Sequence, residues 1–296
     1  MMELTNKNLA FDAAPNGIPQ LMQLEEQHRN ETLAFLSTRI LHTFVMTGWL
    51  HDNGMVNPLN RGTFYGHRNH AGELDGVALI GHTTLFEARS DEAVAAFAGL
   101  TQECSAASAL MGEEKKVKQF LNYYISGRPA PRLACREQLF EQRHKQQLGE
   151  EIPGLRLATT AELDLVTSVH AQLAKAETGV NPLDVDPNGF RMRCARRVHQ
   201  DRVWVNVQDG QLLFKADVIT QLPEVTYLEG VYVAPEQRGN GFGASCMRQL
   251  TNHLLDHSKS VCLLIKEQNA AASACYRKAG YQLREYYETL FFQRLN

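Results

Sequence analysis

Long apolar runs are missing from this 296-residue chain. No segment approaches the roughly 18 consecutive apolar residues of a membrane span. The richest stretch, Ile40 to Leu50, is interrupted by His42, Thr43 and Thr47, so no membrane partner is expected. The opening "MMELTNKNLAFDAAPNG" has no basic stretch followed by an apolar core, and no signal peptide is expected. Cysteine is sparse: Cys104, Cys135, Cys194, Cys246, Cys262 and Cys275 are scattered, with no C-x-x-C pair. That argues against a disulfide framework or a zinc site and reads as reduced thiols in a cytoplasmic protein. An excess of one charge is also absent; a formal net charge of −3 gives no support for a nucleic-acid partner. What is present, 44% apolar and 21% charged residues, is the profile of a soluble globular chain long enough for two ordinary domains or one large one.

The second half has the sharper local signals. "LRLATTAELDLVTSVHAQLAKAE" opens as a short strand. Thr159 and Glu162 then form a capping-box pattern before a helix whose Leu163, Val166, Val169 and Leu173 recur at helical spacing. "VNPLDVDPNGF" reads as a loop, with Asp186 and Pro187 suited to the cap and first position of a helix reaching about His199. "RVWVNVQDGQLLFKADVIT" is a hairpin joined at Asp209-Gly210, a pair suited to a tight type I′ turn. The strand "TYLEGVYV", a glycine loop, and a helix from about Gly241 to Asp256 follow. The buried strand "VCLLIK", the helix "NAAASACYRKAG" closed by Gly280, and a terminal strand or hairpin "YQLREYYETLFFQRL" complete a mixed α/β unit.

The loop "RGNGFG", at the turn from a strand into a helix, carries Gly239, Gly241 and Gly243. Backbone N–H groups of such a turn, with the free N–H groups of a helix's first turn, make a concave donor cluster suited to phosphate. Glycine lets the backbone take φ > 0 and approach an anion without a β-carbon in the way. Arg238 adds a fixed, forked charge. A P-loop is excluded because Phe242-Gly243-Ala244 stands where Lys-Ser/Thr is needed. Gly239-x-Gly241-x-x-Ala244 formally matches a dinucleotide fingerprint, but the short remainder of the chain leaves no room for the sheet that would follow it.

Arg238-x-x-Gly241-x-Gly243 after an apolar strand and Pro235 resembles the acetyl-CoA signature of the GNAT acyltransferase superfamily, R/Q-x-x-G-x-G/A. The family's second element, an Asn, a helix with a small residue, a Tyr and a Gly-aromatic pair, is matched by Asn269, Ala272, Tyr276, Gly280 and Tyr281. The resemblance covers roughly Leu155 to Asn296. It implies a mixed, mostly antiparallel sheet with flanking helices, the acyl-CoA N-acyltransferase fold. It also implies an N-acetyltransferase that uses acetyl-CoA and a primary amine acceptor, with no metal. The pyrophosphate would lie on Arg238, Gly239, Asn240, Gly241, Phe242, Gly243 and Ala244, with Asn269 and Tyr276 also at the cofactor. Pantetheine would pair against Val231, Tyr232 and Val233, and one of those N–H groups would polarise the thioester carbonyl. Tyr276 would act as the general acid toward the departing thiolate. Glu229, on the cofactor strand, is the candidate base; strict alternation places it on the same face as Val231 and Val233. Gly230 is a candidate bulge.

Two further readings stay open beside the acetyltransferase: a non-catalytic acyl-CoA-binding sensor or scaffold, and a tandem aminoacyl transferase using charged tRNA. Other tempting clusters lead elsewhere. His67-x-x-His70 with His51 and Asp52 lacks further ligand spacing, and His253-x-x-x-His257 lacks the Glu of H-E-x-x-H. Cys275 reads as small-hydrophobe packing, and Arg191, Arg193, Arg196 and Arg197 as a solvated helix face with a minor claim on an anionic acceptor or the 3′-phosphate of CoA.

The first half is less explicit. Residues 1 to about 20 read as a loose tail, "LMQLEEQHRNETLAFLSTRILHTF" as helical, and "GTFYGHRNHAGELDGVALIGHTTLFEA" as strands around a polar turn. The later order of strand, helix, strand, helix and terminal strand repeats that of the second half. Where the glycine loop belongs stands "FEARSDEAVAAFAG", with two acids at the helix start that would repel a pyrophosphate. The expectation is a degenerate GNAT-like domain over 1–150, a polar linker "QRHKQQLGEEIPG", and a catalytic GNAT domain over 151–296.

Overall fold

The computed structural model of the protein describes residues 20–124 and 131–292. In chain order the elements are β1 (Leu21–Gln23), α1 (Arg29–Ser37), α2 (Ile40–Asn53), β2 (Gly62–Arg68), β3 (Leu74–Gly81), β4 (Thr83–Ala88), α3 (Asp91–Glu103), β5 (Ala109–Glu113), α4 (Glu114–Tyr124) and β6 (Leu133–Gln142). There follow β7 (Leu155–Leu157), α5 (Leu163–Thr178), α6 (Pro182–Val185), α7 (Pro187–His199), β8 (Val203–Gln208), β9 (Gln211–Gln221), β10 (Thr226–Val233), α8 (Phe242–Leu254), β11 (Val261–Lys266), α9 (Ala270–Ala279) and β12 (Gln282–Phe291). Two compact units emerge: Met1–Arg136 with Tyr287–Asn296, and Glu137–Tyr286.

In the first unit β1 to β4 form an antiparallel series, β4 runs parallel to β5, and β5 pairs antiparallel with Tyr287–Phe291 of β12. Ser90 caps α3, its hydroxyl accepting from the Ala93 N–H, and Asp91 and Glu92 complement the helix's positive end. Val94, Phe97 and Ala98 of α3 then pack with Phe86, Leu110 and Phe120 in one core. The stretch expected to be helical from residue 21 begins instead as β1, because its backbone pairs with the edge of β2. The helical part divides into α1 and α2 at Thr38 and Arg39. The N-terminal stretch expected to be a loose tail lies outside the described residues.

β4 and β5 pair only at Thr83–Ala109 and Thr84–Leu110, so their ends part. Between those ends Arg39 donates from Nη1 to both carboxylate oxygens of Glu87 at 3.1 Å and from Nη2 to Glu113 Oε1 at 2.8 Å. Lys116 bonds Glu87 as well. An internal ion network therefore occupies the wedge of this unit, and its helix start carries acids in place of glycines.

The second unit runs β7-β8-β9-β10 antiparallel, β10 parallel to β11, and β11 antiparallel to Glu137–Gln142 of β6. The hairpin turn falls at Asp209 (φ 49°) and Gly210 (φ 75°), the left-handed pair that a type I′ turn requires. Thr159 and Glu162 form the capping box, and Asp186 caps α7 by accepting from the Gly189 N–H. The "VNPLDV" loop contains one short helix, α6, started by Asn181 and Pro182. One face of the sheet packs Phe140, Phe214, Leu228 and Leu263 against Met247 and Leu250 of α8 and Tyr276 of α9. Val203, Val205 and Leu212 meet Val166 and Val169 of α5 and Val198 of α7. Each unit is thus a mixed, mostly antiparallel sheet with helices against it, holding one parallel pair that splays.

Candidate functional site

The site of the second unit begins where pairing stops. β10 and β11 are joined at Thr226–Val261, Tyr227–Cys262 and Leu228–Leu263, and no further. Beyond Leu228 the β11-facing backbone of β10 has no strand partner, so its donors and acceptors are available to a ligand. On the other edge, β10 stays paired to β9 but skips: Glu229 faces Asp217 and the next partner, Tyr232, faces Lys215. The bulge turns at Gly230, φ +58°, where a β-carbon would lie 3.0 Å from both Lys215 Nζ and Asp217 Oδ2. Glycine is required there for conformation and for space.

The bulge changes one sequence expectation. Strict alternation put Glu229 on the face of Val231 and Val233. The extra residue breaks that parity: Val231 and Val233 pack with the α8/α9 core, whereas Glu229 and Tyr232 are in register with Asp217 and Lys215. Glu229 is exposed and accepts a hydrogen bond from the buried Tyr227.

Past Val233 the chain enters the glycine loop. Gly239 and Gly241 have φ of 82° and 91°, and Gly243 starts the helix against Val233. Asn240 Oδ1 accepts from the Phe242 N–H at 3.0 Å, capping α8 from inside the loop. The next N–H groups, of Gly243 and Ala244, lie in a first turn where no intrahelical carbonyl can meet them. Arg238 is exposed, and its Nε donates to the Val233 carbonyl at 2.9 Å.

Strand end, loop and α9 enclose a cavity of about 490 Å³ lined by Val231, Tyr232, Val233, Arg238, Gly239, Gly241, Gly243, Ala244, Asn269 and Tyr276. Asn240, Phe242 and Glu229 are not part of that lining. Ala272, the small residue of the second sequence element, lines the cavity as well, and the structure adds Leu173 of α5, Ala271, Ala274 and Cys275. Asn269 caps α9, its Oδ1 accepting from the Ala272 N–H at 3.1 Å. Tyr276 is 5% exposed, and among the described residues its hydroxyl has no hydrogen-bond partner. Burial first, then Cys275 and Glu177, push its pKa up, so the phenol stays protonated. Cys275 is likewise pushed up by burial and lines the wall as a thiol, not a thiolate.

Glu177, in the last turn of α5, was not singled out by the sequence. It keeps solvent access, yet the crowding chain first and Glu229 second raise its carboxyl pKa. Its backbone carbonyl accepts from Lys266 Nζ at 2.8 Å, and Leu173, one helical turn earlier, lines the cavity. In the sequence Glu177 stands in the plain helical run "QLAKAETG", far from Tyr276, so no local signal marks it.

Beneath the bulge sits a buried charge group. Lys215 Nζ, fully buried, is 2.7 Å from Asp217 Oδ1. Asp217 Oδ2 lies 3.3 Å from Arg197 Nη1 and 3.2 Å from His170 Nδ1. Burial alone would raise the Asp217 pKa, but Lys215 foremost, with His170 and Arg197, holds it well below the usual carboxylate range. Arg191 and Arg193 are paired with Asp164 and Asp186, so the basic run of α7 is largely committed inside the unit. Among the described residues there is no group of three or more His, Cys, Asp and Glu placed to hold a metal, and no helix long and apolar enough to cross a membrane.

Residues 210–290 match the family described as FR47-like protein. No curated protein matches the chain. Solved structures that it resembles include a Drosophila protein, at 13% identity and TM-score 0.61 over 93% of this chain and 99% of that one. Another is a tandem GNAT protein from the clavulanic acid biosynthesis pathway, at 13% identity and TM-score 0.57 over 93% and 98%. A third is an acetyltransferase of the GNAT family from Colwellia psychrerythraea, at 14% identity and TM-score 0.54 over 92% and 99%. At such identities the likeness is one of fold. With its paired sheets and its two splayed parallel pairs, the chain has the acyl-CoA N-acyltransferase fold of these GNAT structures, built from two GNAT-like halves, with the FR47-like match in the second.

Proposed function

We propose that this is a cytoplasmic acyltransferase whose second unit moves the acetyl group of acetyl-CoA to a primary amine. The observation that carries this reading is the convergence, on one cavity, of an unpaired strand edge, a glycine-rich helix entrance and a buried tyrosine with a free hydroxyl. The residues fit the cosubstrate. A cavity of this size is within the usual range for a small-molecule site, roughly 300–1,000 Å³. The loop and the first turn of α8 offer N–H groups and Arg238 to a pyrophosphate. The edge of Val231 to Val233 offers peptide donors and acceptors to the amides of pantetheine.

In the reaction, the strand edge holds the thioester so that a backbone N–H donates to its carbonyl oxygen as negative charge develops there. The amine nitrogen forms the new C–N bond directly, with no covalent enzyme intermediate. The C–S bond breaks with its electrons going to sulfur, and the Tyr276 hydroxyl supplies a proton to that sulfur. The surplus proton on nitrogen passes to Glu229, on the cofactor strand at the bulge, or to Glu177, whose carboxyl pKa Glu229 helps to raise. The products are an amide and the free thiol of CoA. The first unit, with acids at its helix start and an ion network in its wedge, is assigned no catalysis.

The test is twofold: stabilisation of the full chain against heat by acetyl-CoA, expected by mass action, and thiol release on a panel of amines, amino acids, aminoglycosides and peptides. Binding without release on any amine would favour a sensor. Absence of binding would reopen the aminoacyl-transfer reading.

A further inference from the structure

A lysine with no solvent exposure in the middle of a strand is a costly residue, and an apolar side chain would fill the same place without the expense of desolvating a charge. Lys215 is such a residue, and its position is specific. Its register partner is Tyr232 and that of Asp217 is Glu229, the two residues that flank the bulge of β10. The ion pair therefore underlies Gly230 and Val231. Lys215 Nζ donates to the Gly230 carbonyl at 3.3 Å, in addition to its 2.7 Å contact with Asp217.

The geometry of a peptide group makes this contact consequential. In a trans peptide the C=O and the following N–H point in opposite directions from one rigid plane, and among the described residues no peptide bond is cis. Lys215 holds the Gly230 carbonyl toward the side of the sheet that carries Asp217. The N–H of the same peptide unit, that of Val231, is thereby aimed the other way, where Val231 lines the cavity with Tyr276. Val231 belongs to neither the β9 nor the β11 ladder, so this N–H is not taken by a strand partner. A cation on the carbonyl end also polarises the amide and strengthens its donor end.

We infer that Lys215 is a positioning residue for acyl transfer: its buried ammonium, bonded to Gly230, orients the Val231 N–H as the donor to the thioester oxygen. The inference rests on the acyltransferase reading. Asp217 holds the lysine in place, and Arg197 keeps Asp217 compensated if the lysine is removed.

The experiment compares the full-length parent with Lys215→Met and with Lys215→Met/Asp217→Asn. Acetyl-CoA is the donor, and hydroxylamine, small enough to reach a thioester without acceptor recognition, is the probe nucleophile. Folding is checked by circular dichroism and acetyl-CoA affinity by calorimetry. A misaimed oxyanion donor acts in the transition state, so kcat should fall about 10- to 100-fold, while acetyl-CoA affinity changes less than about threefold. A folded variant whose kcat stays within about threefold of the parent overturns the inference. So does a loss confined to acetyl-CoA affinity, or the failure of both variants to fold, which would make Lys215 a requirement of stability alone. A parent that transfers nothing from acetyl-CoA contradicts the acyltransferase reading itself and takes this inference with it; a working parent with unaffected variants contradicts the inference only.

Discussion

Gly243 and Val233 leave no room between them: a β-carbon on the glycine would lie 2.8 Å from Cγ2 of the valine. The first turn of α8 thus rests directly on the last residue of β10, and that closeness brings the helix's free N–H groups to the cavity wall. Gly243→Ala must push the strand end and the helix apart. Overpacking of this kind costs about 1–3 kcal/mol. We expect a lowered denaturation midpoint together with weaker acetyl-CoA binding. An alanine variant with parental stability and affinity would show that the contact has no bearing on the site.

Arg238 is exposed and tied to the strand by one nitrogen only, its Nε on the Val233 carbonyl. The rest of the guanidinium is free to meet an anion at the loop. Arg238→Ala removes charge-assisted bonds of about 1.5–3 kcal/mol, so acetyl-CoA affinity should fall roughly 10- to 100-fold by calorimetry. Unchanged affinity would rule out a pyrophosphate at this loop.

The capping box of the second unit carries a pH signature. Arg156 foremost, then the Thr159 N–H and hydroxyl, hold Glu162 down at about 2, against an ordinary value of 4.5. Its stabilising effect is therefore complete above pH 4.5 and is lost as pH falls toward about 2. Thr159→Ala should cost about 0.5–2 kcal/mol near neutrality. The gap in thermal midpoint between the parent and Glu162→Gln should close over that acidic window. A gap that is constant down to the lowest pH would mean that the ionised carboxylate is not the stabilising form.

Much of the second unit was legible because its signals are local. Asp209-Gly210, Thr159 with Glu162, and Asp186-Pro187 each act within a few residues, and each does in the structure what its spacing implies; of the loop glycines, Gly239 and Gly241 take positive φ, whereas Gly243 is helical. The segments missed depend on distant partners. Leu21–Gln23 is extended only because it pairs with His67 to Tyr65. Glu137–Gln142 of β6 joins the sheet of the second unit, and Tyr287–Phe291 of β12 that of the first, through pairings that no local pattern encodes. The site shows the same division. Its glycines and Tyr276 stand in motifs, whereas Glu177 and the Lys215–Asp217 pair lie in runs that read as plain helix and strand. The bulge at Gly230 explains why alternation misplaced Glu229.

Glu177 supplies a kinetic test of the acceptor side. Crowding and Glu229 raise its proton affinity, so it becomes a base only above the usual carboxylate range. If it receives the proton of the attacking amine, kcat/KM should rise with pH through that displaced value. Glu177→Gln should lower kcat/KM by at least about 10²-fold, the low end for general-base catalysis, and flatten the acid limb. An identical pH profile in parent and variant would leave Glu229 or water as the acceptor of that proton.

Tyr276→Phe addresses the central claim, that acyl transfer occurs in the cleft of the second unit. Phenylalanine keeps the ring against Phe140 and Tyr281 and removes only the unpartnered hydroxyl. The measurement is thiol release from acetyl-CoA on a working amine, with chemistry rate-limiting, beside acetyl-CoA affinity by calorimetry. General acid catalysis is worth about 10²–10⁴-fold, and a thiolate already leaves readily, so the account predicts a fall in kcat near or somewhat below the lower end with affinity nearly intact. Equal turnover by the variant and the parent would contradict it.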